Sequence, residues 1–446
     1  MADDVQLNQA AGTAGATIAA DEIGGVHHQR VKVQYGDDGS ATDCSSSNPL
    51  PVDIPAGRLD AFGRMRVSAT GQRLDGEFIY GPQDDYFDST TNNGTVTHNT
   101  NPRDLTLSVS AAANGDFAKV ASYPVPYTPG NSQLIDITGV LDLAAIGGGT
   151  AEVFVRTKVS GSVVESTVAQ SSWDALTSGV DWTKSHIFTM DFQSLKVGSI
   201  RFGLVQNGSY TRITTVNNDN TRNTGYWQLA NGSAYWHLYS NGTNSYMEVG
   251  YGNSNNAIGF RYKITANASA TMKAICCTVK SEGGQSIWEM SGLPRSIDNG
   301  VTPVTASTTL VPIISIKPAT TFNSLENLIL ALPNQYSLTT DQPIKYALVH
   351  DGTLTNASFA AVDASDSMMQ YDVSATAITG GHIVDSGYVG TAGTAATRTG
   401  SKGGLLGKTL LWDRQNSVTG ILSLCAIRTT ANDAAVYGQV SWNELR

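Results

Sequence analysis

Few residues in this chain have the types and spacing that chemistry requires. Gly403-Gly404-Leu405-Leu406-Gly407-Lys408-Thr409 ends like a phosphate-binding loop. That loop needs a glycine, four residues and then Gly-Lys-Thr, opening a helix. Lys402 stands where the first glycine belongs, and Leu410-Leu411-Trp412-Asp413 offers no helix, so the run reads as a glycine-rich loop. His27-His28 is a poor metal pair, because neighbours on a strand point to opposite faces. His98, His186, His237, His350 and His382 follow no ligand spacing. Asp84-Asp85 with Asp88, and Asp363, Asp366 and Asp372, could serve a cation or a glycosidase pair. Neither set follows an EF-hand pattern, and glycosidase carboxylates are recognised only by distance across a cleft, so solvated turn aspartates are the simpler reading. There is no Gly-x-Ser-x-Gly elbow and no His-Glu-x-x-His helix. Cys44, Cys276, Cys277 and Cys425 include no Cys-x-x-Cys, and adjacent cysteines rarely bridge each other. Free thiols are expected. The expectation is therefore a non-enzyme, with no catalytic residue, no metal and no cofactor.

The most distinctive composition lies between Gly225 and Asn256. Tyr226, Trp227, Tyr235, Trp236, Tyr239, Tyr246 and Tyr251 stand there among Gly, Asn and Ser. Rings flanked by small polar residues can form an adaptable binding surface. The same pattern suits two or three strands with core aromatics and Asn-Gly hairpins, and that is the favoured reading. Trp227, Tyr235, Trp236 and Tyr239 remain the candidates for a ligand or subunit surface.

The elements that must position these residues are strands. The chain has 446 residues, enough for two or three domains. Charged residues make up 15%, well below the ~25% of ordinary soluble domains. Forty-five glycines and 40% hydrophobic residues suit short strands joined by many turns rather than disorder. The formal charge of −10 gives no general footprint for nucleic acid, which needs clustered Lys and Arg. No run of 18 apolar residues suggests a membrane helix, and the acidic start Met1-Ala2-Asp3-Asp4 lacks a signal-peptide pattern. Synthesis in a reducing cytosol is expected, with no membrane partner.

Residues 1 to about 20 read as an arm that is mobile until docked. Arg30-Val31-Lys32-Val33-Gln34-Tyr35 alternates as a strand, and Ser45 to Val52 is extended and proline-marked. Phe188, Met190 and Phe192 alternate with polar neighbours, as do Ile200, Phe202 and Leu204, with a hairpin turn at Lys196-Val197-Gly198-Ser199. Asn-Gly at 93, 114, 207, 231, 241 and 299, and Asp-Gly at 38, 75 and 351, are hairpin signals, since type I′ turns need positive φ. Leu325, Leu328, Ile329 and Leu332 fit a helix, yet Leu328, Leu330 and Leu332 alternate; context favours a strand ended by Pro333. Gly380 to Gly407 reads as a long loop. The expected fold is all-β, of antiparallel, jelly-roll-like sandwich architecture: a β-sandwich domain at 60–284 and a second β-rich domain at 285–446, behind an extended N-terminal arm at 1–59.

Several strings resemble a family of tailed-bacteriophage virion proteins, the head-, neck- or tail-associated fibres and appendages. They are Ala20-Asp21-Glu22-Ile23-Gly24-Gly25-Val26 with Gln29-Arg30-Val31-Lys32 and Gly36-Asp37-Asp38-Gly39; Ser47 to Val52; Asp60 to Ser68; Tyr127 to Leu134 running to Val140; Ala169 to Trp173; Val180 to Gly208; and Ile275 to Gly284. They keep their order over most of residues 20 to 285, and more weakly over about 310 to 350. The chain departs from the family after Ser68 and in the aromatic segment. The resemblance implies a virion structural protein, commonly oligomeric, with no catalytic residues. It implies attachment to portal or neck, tail or capsid proteins through the N-terminal region: Asp21, Glu22, Ile23, Gly24, Gly25, Arg30, Pro49 and Pro51. A homotrimer is the expected assembly, and a host-surface glycan is the alternative partner, bound by a tail fibre or spike.

Overall fold

A computed structural model of the chain describes residues 5–6, 17–18, 20–29, 34–35, 42–47, 49, 70–83, 87–110, 114–127, 130–141, 149–159, 162–193, 195–221, 225–229, 231–265, 268–282, 292–327, 329–390, 396–401 and 420–445. Contacts divide the chain into Met1–Arg58 and Leu59–Arg446. The fold is all-β, and every described strand pairing is antiparallel.

In the first unit, Ala20–Ile23 pairs with Val26–Gln29. Gly24 and Gly25 turn the hairpin at φ 62° and 81°, a left-handed conformation that glycine adopts without a Cβ penalty. Within the expected arm, residues 20–29 form this local hairpin. The alternation proposed for residues 30–33 lies outside the described residues.

In the second unit, one sheet runs Ser209–Val216, Ile200–Gln206, His186–Phe192, Gln133–Val140, Ala270–Ser281, Asp104–Val109, Gly94–Asn99, with Gly71–Glu77 also on Ala270–Ser281. The facing sheet runs Ser162–Ala169, Gly149–Val159, Ala257–Ile264, Ser245–Gly252, Asn231–Ser240, Phe117–Ser122, Phe87–Asn92, with Val125–Pro126 on Asn231–Ser240. The period-2 pattern explains the packing. Ile135 and Ile137 point into the core while Asp136 and Thr138 alternate with them. Phe188, Met190, Phe192, Phe202, Leu204, Val249 and Phe260 join them in one apolar core.

A second core contains Ile313, Ile314, Leu338, Leu424, Val436 and Trp442. It lies between a sheet of Leu293–Asp298, Ala434–Leu445, Leu330–Thr340 and Ala396–Ser401 and another containing Val311–Pro318, Leu422–Arg428, Ile344–His350 and His382–Val389. Tyr123 of the first sandwich packs on Leu330, Leu332 and Leu445 of the second. The boundary expected near residue 285 lies outside the described residues.

Three local expectations change. His382–Val389 and Ala396–Ser401 are strands, not one loop. Gly387 there leaves room for the Tyr346 ring, since a Cβ would lie 2.9 Å from it. Asp75-Gly76 and Asn231-Gly232 lie within strands rather than at turns; their glycines seat the Phe87 and Tyr251 rings, 2.2 and 2.6 Å from where a Cβ would stand. Asn93-Gly94 links strands of opposite sheets. Asn207-Gly208 is a two-residue hairpin with both φ positive, at 50° and 77°. Leu325–Glu326 and Leu330–Thr340 are strands as expected, but Pro333 does not end the run. The ladder shifts register between Pro333 and Gln335, the kind of bulge that accommodates a missing N–H.

Candidate functional site

The outer face of the sheet bounded by Ser162–Ala169 and Phe87–Asn92 carries the densest chemistry among the described residues. Glu152, Arg261, Glu248, His237, Lys119 and Thr90 lie directly opposite one another on successive strands. They form one polar row, mostly charged, across the sheet. The next row is Phe154, Gly259, Gly250, Tyr235, Ala121 and Asp88. On the other side lie Thr150, Lys263, Tyr246, Tyr239, Phe117 and Asn92.

The two central glycines make this face possible. A Cβ on Gly250 would meet the Tyr235 ring at 2.9 Å, and one on Gly259 the Phe154 ring at 2.9 Å. Both rings therefore lie down over bare backbone and are buried. Cations cover them. Arg156 and Arg261 sit 5.0 and 4.7 Å from the Phe154 centroid, and Lys119 sits 5.0 Å from that of Tyr235. Cations over ring faces are attracted by the ring quadrupole.

Glu248 ties this layer together and is 0% exposed. Its Oε1 accepts from Arg261 Nε at 2.8 Å, Arg156 Nη2 at 2.9 Å and Tyr239 Oη at 2.9 Å. Glu165 accepts from Arg156 Nε at 2.9 Å and from Arg261 Nη1 and Nη2 at 2.6 and 2.7 Å. Glu152 accepts from Arg261 Nη1 at 2.9 Å. Burial opposes the Glu248 charge, but Arg156 and Arg261 outweigh it and hold the carboxyl down at about 2. Burial pushes the His237 imidazole down to about 3 and lowers the Lys119 ammonium. Burial and Glu248 both raise the Tyr235 and Tyr239 phenols. Near neutral pH this places an anionic Glu248, a neutral His237 and hydroxyl donors at the tyrosines on the face, beside a Lys119 whose ammonium is lowered by burial.

The rings of Tyr246, Tyr239 and His237 form a stack, with centroids 4.8 and 4.7 Å apart, and Phe117 meets His237 edge-on at 5.9 Å. Their faces are spent on one another. What remains for a ligand is ring edges and polar groups.

The sequence candidates fare unequally. Trp227 and Trp236 are interior residues, 1% and 0% exposed. Trp227 stacks on Tyr251 at 5.9 Å, and Trp236 donates to the Thr138 carbonyl at 3.1 Å while packing on Phe78 and Phe87. Strand alternation sends Trp236 inward and its neighbours Tyr235 and His237 outward. A ligand could not reach either tryptophan without unfolding, so both leave the candidate surface. Tyr235 is turned to the outer face but lies buried beneath Lys119, 2% exposed, so it too leaves the accessible surface; Tyr239 is half-buried on the same face, stacked on His237. Sequence reasoning missed Arg156, Arg261, Glu152, Glu165 and Lys119. They come from four other strands, and only the register assembles them.

The acidic clusters act locally. Asp363 accepts from the Ser365 amide and hydroxyl, Asp372 from Ser358, Ser374 and Ala375, and Asp366 pairs with Arg295. Asp84, Asp85 and the 402–419 run lie outside the described residues. Among the described residues no group of three His, Cys, Asp or Glu is placed to hold a metal. The four cysteines are free thiols. No described helix is long and apolar enough to cross a membrane. Of the attachment candidates, Asp21, Glu22 and Ile23 lie in the hairpin, with Gly24 and Gly25 at its turn. Pro49 is exposed, while Arg30 and Pro51 lie outside the described residues.

Fold and surface together define an all-β antiparallel sandwich protein with a charge-balanced outer sheet face. No family model matches the chain. No curated protein matches it. Among solved structures, it is similar to an endo-1,3-beta-glucanase from Streptomyces sioyaensis at TM-score 0.30 and 9% identity, over 52% of this chain and 100% of that one. It is similar to the CBM2 module of the evolved Dit of Lactobacillus casei BL23 phage J-1 at TM-score 0.21 and 8% identity, over 50% and 99%. Lectin UEA-II complexed with galactose gives TM-score 0.20 and 13% identity, over 48% and 100%. These likenesses are weak, and the functional reading rests on the chain's own residues.

Proposed function

We propose that the chain is a non-enzymatic structural component of a tailed-phage particle. It is a fibre or appendage fixed to capsid, neck or tail through its N-terminal region, made in the host cytoplasm and working as a homo-oligomer. The observation that carries the attachment is the Gly24-Gly25 hairpin. Its last pair, Ile23 and Val26, stands directly opposed with 65% and 58% exposure. Two apolar side chains held side by side at a hairpin tip gain by being covered, about 25 cal/mol per Å² of apolar surface buried. The outer-face arginines and glutamates are paired with one another, which supports a role without catalysis. Ile23→Asp with Val26→Asp should keep the sandwiches folded and remove the chain from assembled particles. Normal incorporation of that variant would remove the attachment role.

A second reading, host-glycan binding, is favoured by the outer face alone. The partly exposed Lys119, Glu152, Tyr239 and Tyr246 place polar groups and ring edges along one plane of this face. Binding on a glycan array that falls with Lys119→Ala and Tyr246→Ala supports it; no binding by the assembled protein sets it aside.

A further inference from the structure

The strand Ser162–Ala169 ends its sheet, and nothing else among the described residues pairs with it. An open strand edge is a row of unpaired N–H and C=O groups, and proteins ordinarily blunt it with proline, lysine, a bulge or a covering segment. This strand has none of the first three. Its sequence is Ser-Val-Val-Glu-Ser-Thr-Val-Ala, and it pairs with Gly149–Val159 without a register shift. The other eight-residue edge strands, Ser209–Val216 and His382–Val389, both sit in ladders broken by a shift. Among the described residues no segment covers it either, and Val163 and Val164 are each 49% exposed. Its one charge, Glu165, is turned onto the sheet and held by Arg156 and Arg261, so it cannot repel an approaching strand.

We propose that this edge pairs with the same edge of a second copy of the chain, antiparallel across a two-fold axis at Val164. The occupant follows from the side chains. Trp173 Nε1 donates to the Val168 carbonyl at 3.1 Å, which closes the far end of the strand and leaves Ser162 to Ser166 open. An axis at Val164 sets Val164 against Val164, Ser162 against Ser166 and Val163 against Glu165. Each opposed pair then shares a face, as antiparallel pairing demands. Val164 lies opposite Thr157, in the same alternation as the core residues Val153 and Val155. It is therefore an apolar residue on the core side of a sheet that stops too soon, and its own symmetry mate covers it. The same patch serves both partners, which is the geometry of an isologous two-fold contact.

Native mass spectrometry of the full chain tests this, with Val164→Lys and Ser166→Pro alongside. The lysine adds a charge at an exposed site, and the proline removes an edge N–H. The wild type should show even-numbered assemblies. Both variants should keep the wild-type circular dichroism spectrum and weaken the pair by at least about tenfold, some 1.4 kcal/mol. Assemblies that Val164→Lys leaves unchanged, whether monomers, trimers or dimers, would overturn the proposal. So would edge pairing with a different virion protein in place of a second copy.

Discussion

Arg261 and Glu248 face each other directly across two neighbouring strands, joined Nε to Oε1 at 2.8 Å, both almost entirely removed from solvent. Arg261 also bonds Glu152 and Glu165, so one guanidinium links three carboxylates from three strands. Breaking such a pair from one side leaves an uncompensated buried charge. Glu248→Gln is expected to destabilise the first sandwich by about 3–5 kcal/mol. Urea denaturation checks this. A loss below about 1 kcal/mol would place the network in the class of surface pairs.

The same face sets an acid limit. Glu248 has its folded-state carboxyl lowered to about 2, from an ordinary 4.5. Its stabilisation is full above 4.5 and is lost as pH falls toward 2. His237 is lowered from 6.5 to about 3. The unfolded chain therefore takes up that proton first, and stability starts to fall below pH 6.5 and continues to pH 3. Melting temperature followed from pH 7.5 to 3 should decline over this span, and His237→Gln should flatten the part between 6.5 and 4.5. An unchanged slope in that variant contradicts burial of a neutral imidazole.

Gly250 carries a different kind of constraint. A Cβ there would stand 2.7 Å from the Ile258 carbonyl and 2.8 Å from the Tyr235 hydroxyl. The carbonyl belongs to the neighbouring strand and cannot step aside. Gly250→Ala should cost about 1–3 kcal/mol, the range for overpacking. Calorimetry of the variant gives the value, and a neutral result would mean that the Tyr235 ring does not lie over the backbone.

The thiols should separate by exposure. Cys277 and Cys425 are buried, and burial pushes the Cys425 thiol up to about 12 and that of Cys277 higher. Cys44 and Cys276 are partly exposed. The thiolate is the reactive form. Alkylation at pH 8 followed by peptide mapping should mark Cys44 and Cys276 first, and equal labelling of Cys425 would contradict its burial.

Much of the fold is legible in the chain because period 2 is a local signal. Phe188, Met190 and Phe192 point inward as their spacing requires. The turn dipeptides are less faithful. Gly76, Gly232 and Gly387 are glycines because a ring crosses the backbone, and no short-range pattern distinguishes that from a turn. The outer-face cluster was invisible for a related reason. Glu152, Arg156, Glu165, Glu248 and Arg261 span 109 residues between the farthest bonded pair, and only strand order brings them together. Trp227 and Trp236 show the converse. Their composition allows a binding surface but favours core aromatics, and strand alternation and packing make both core.

Purified particles offer the most direct measurement of the central claim. Protein mass spectrometry and electron density of intact particles should show this chain in fixed stoichiometry, with density for its N-terminal hairpin against a neighbouring virion protein. Particles from Ile23→Asp with Val26→Asp should lack it. A complete, infectious particle preparation without this chain would contradict the account.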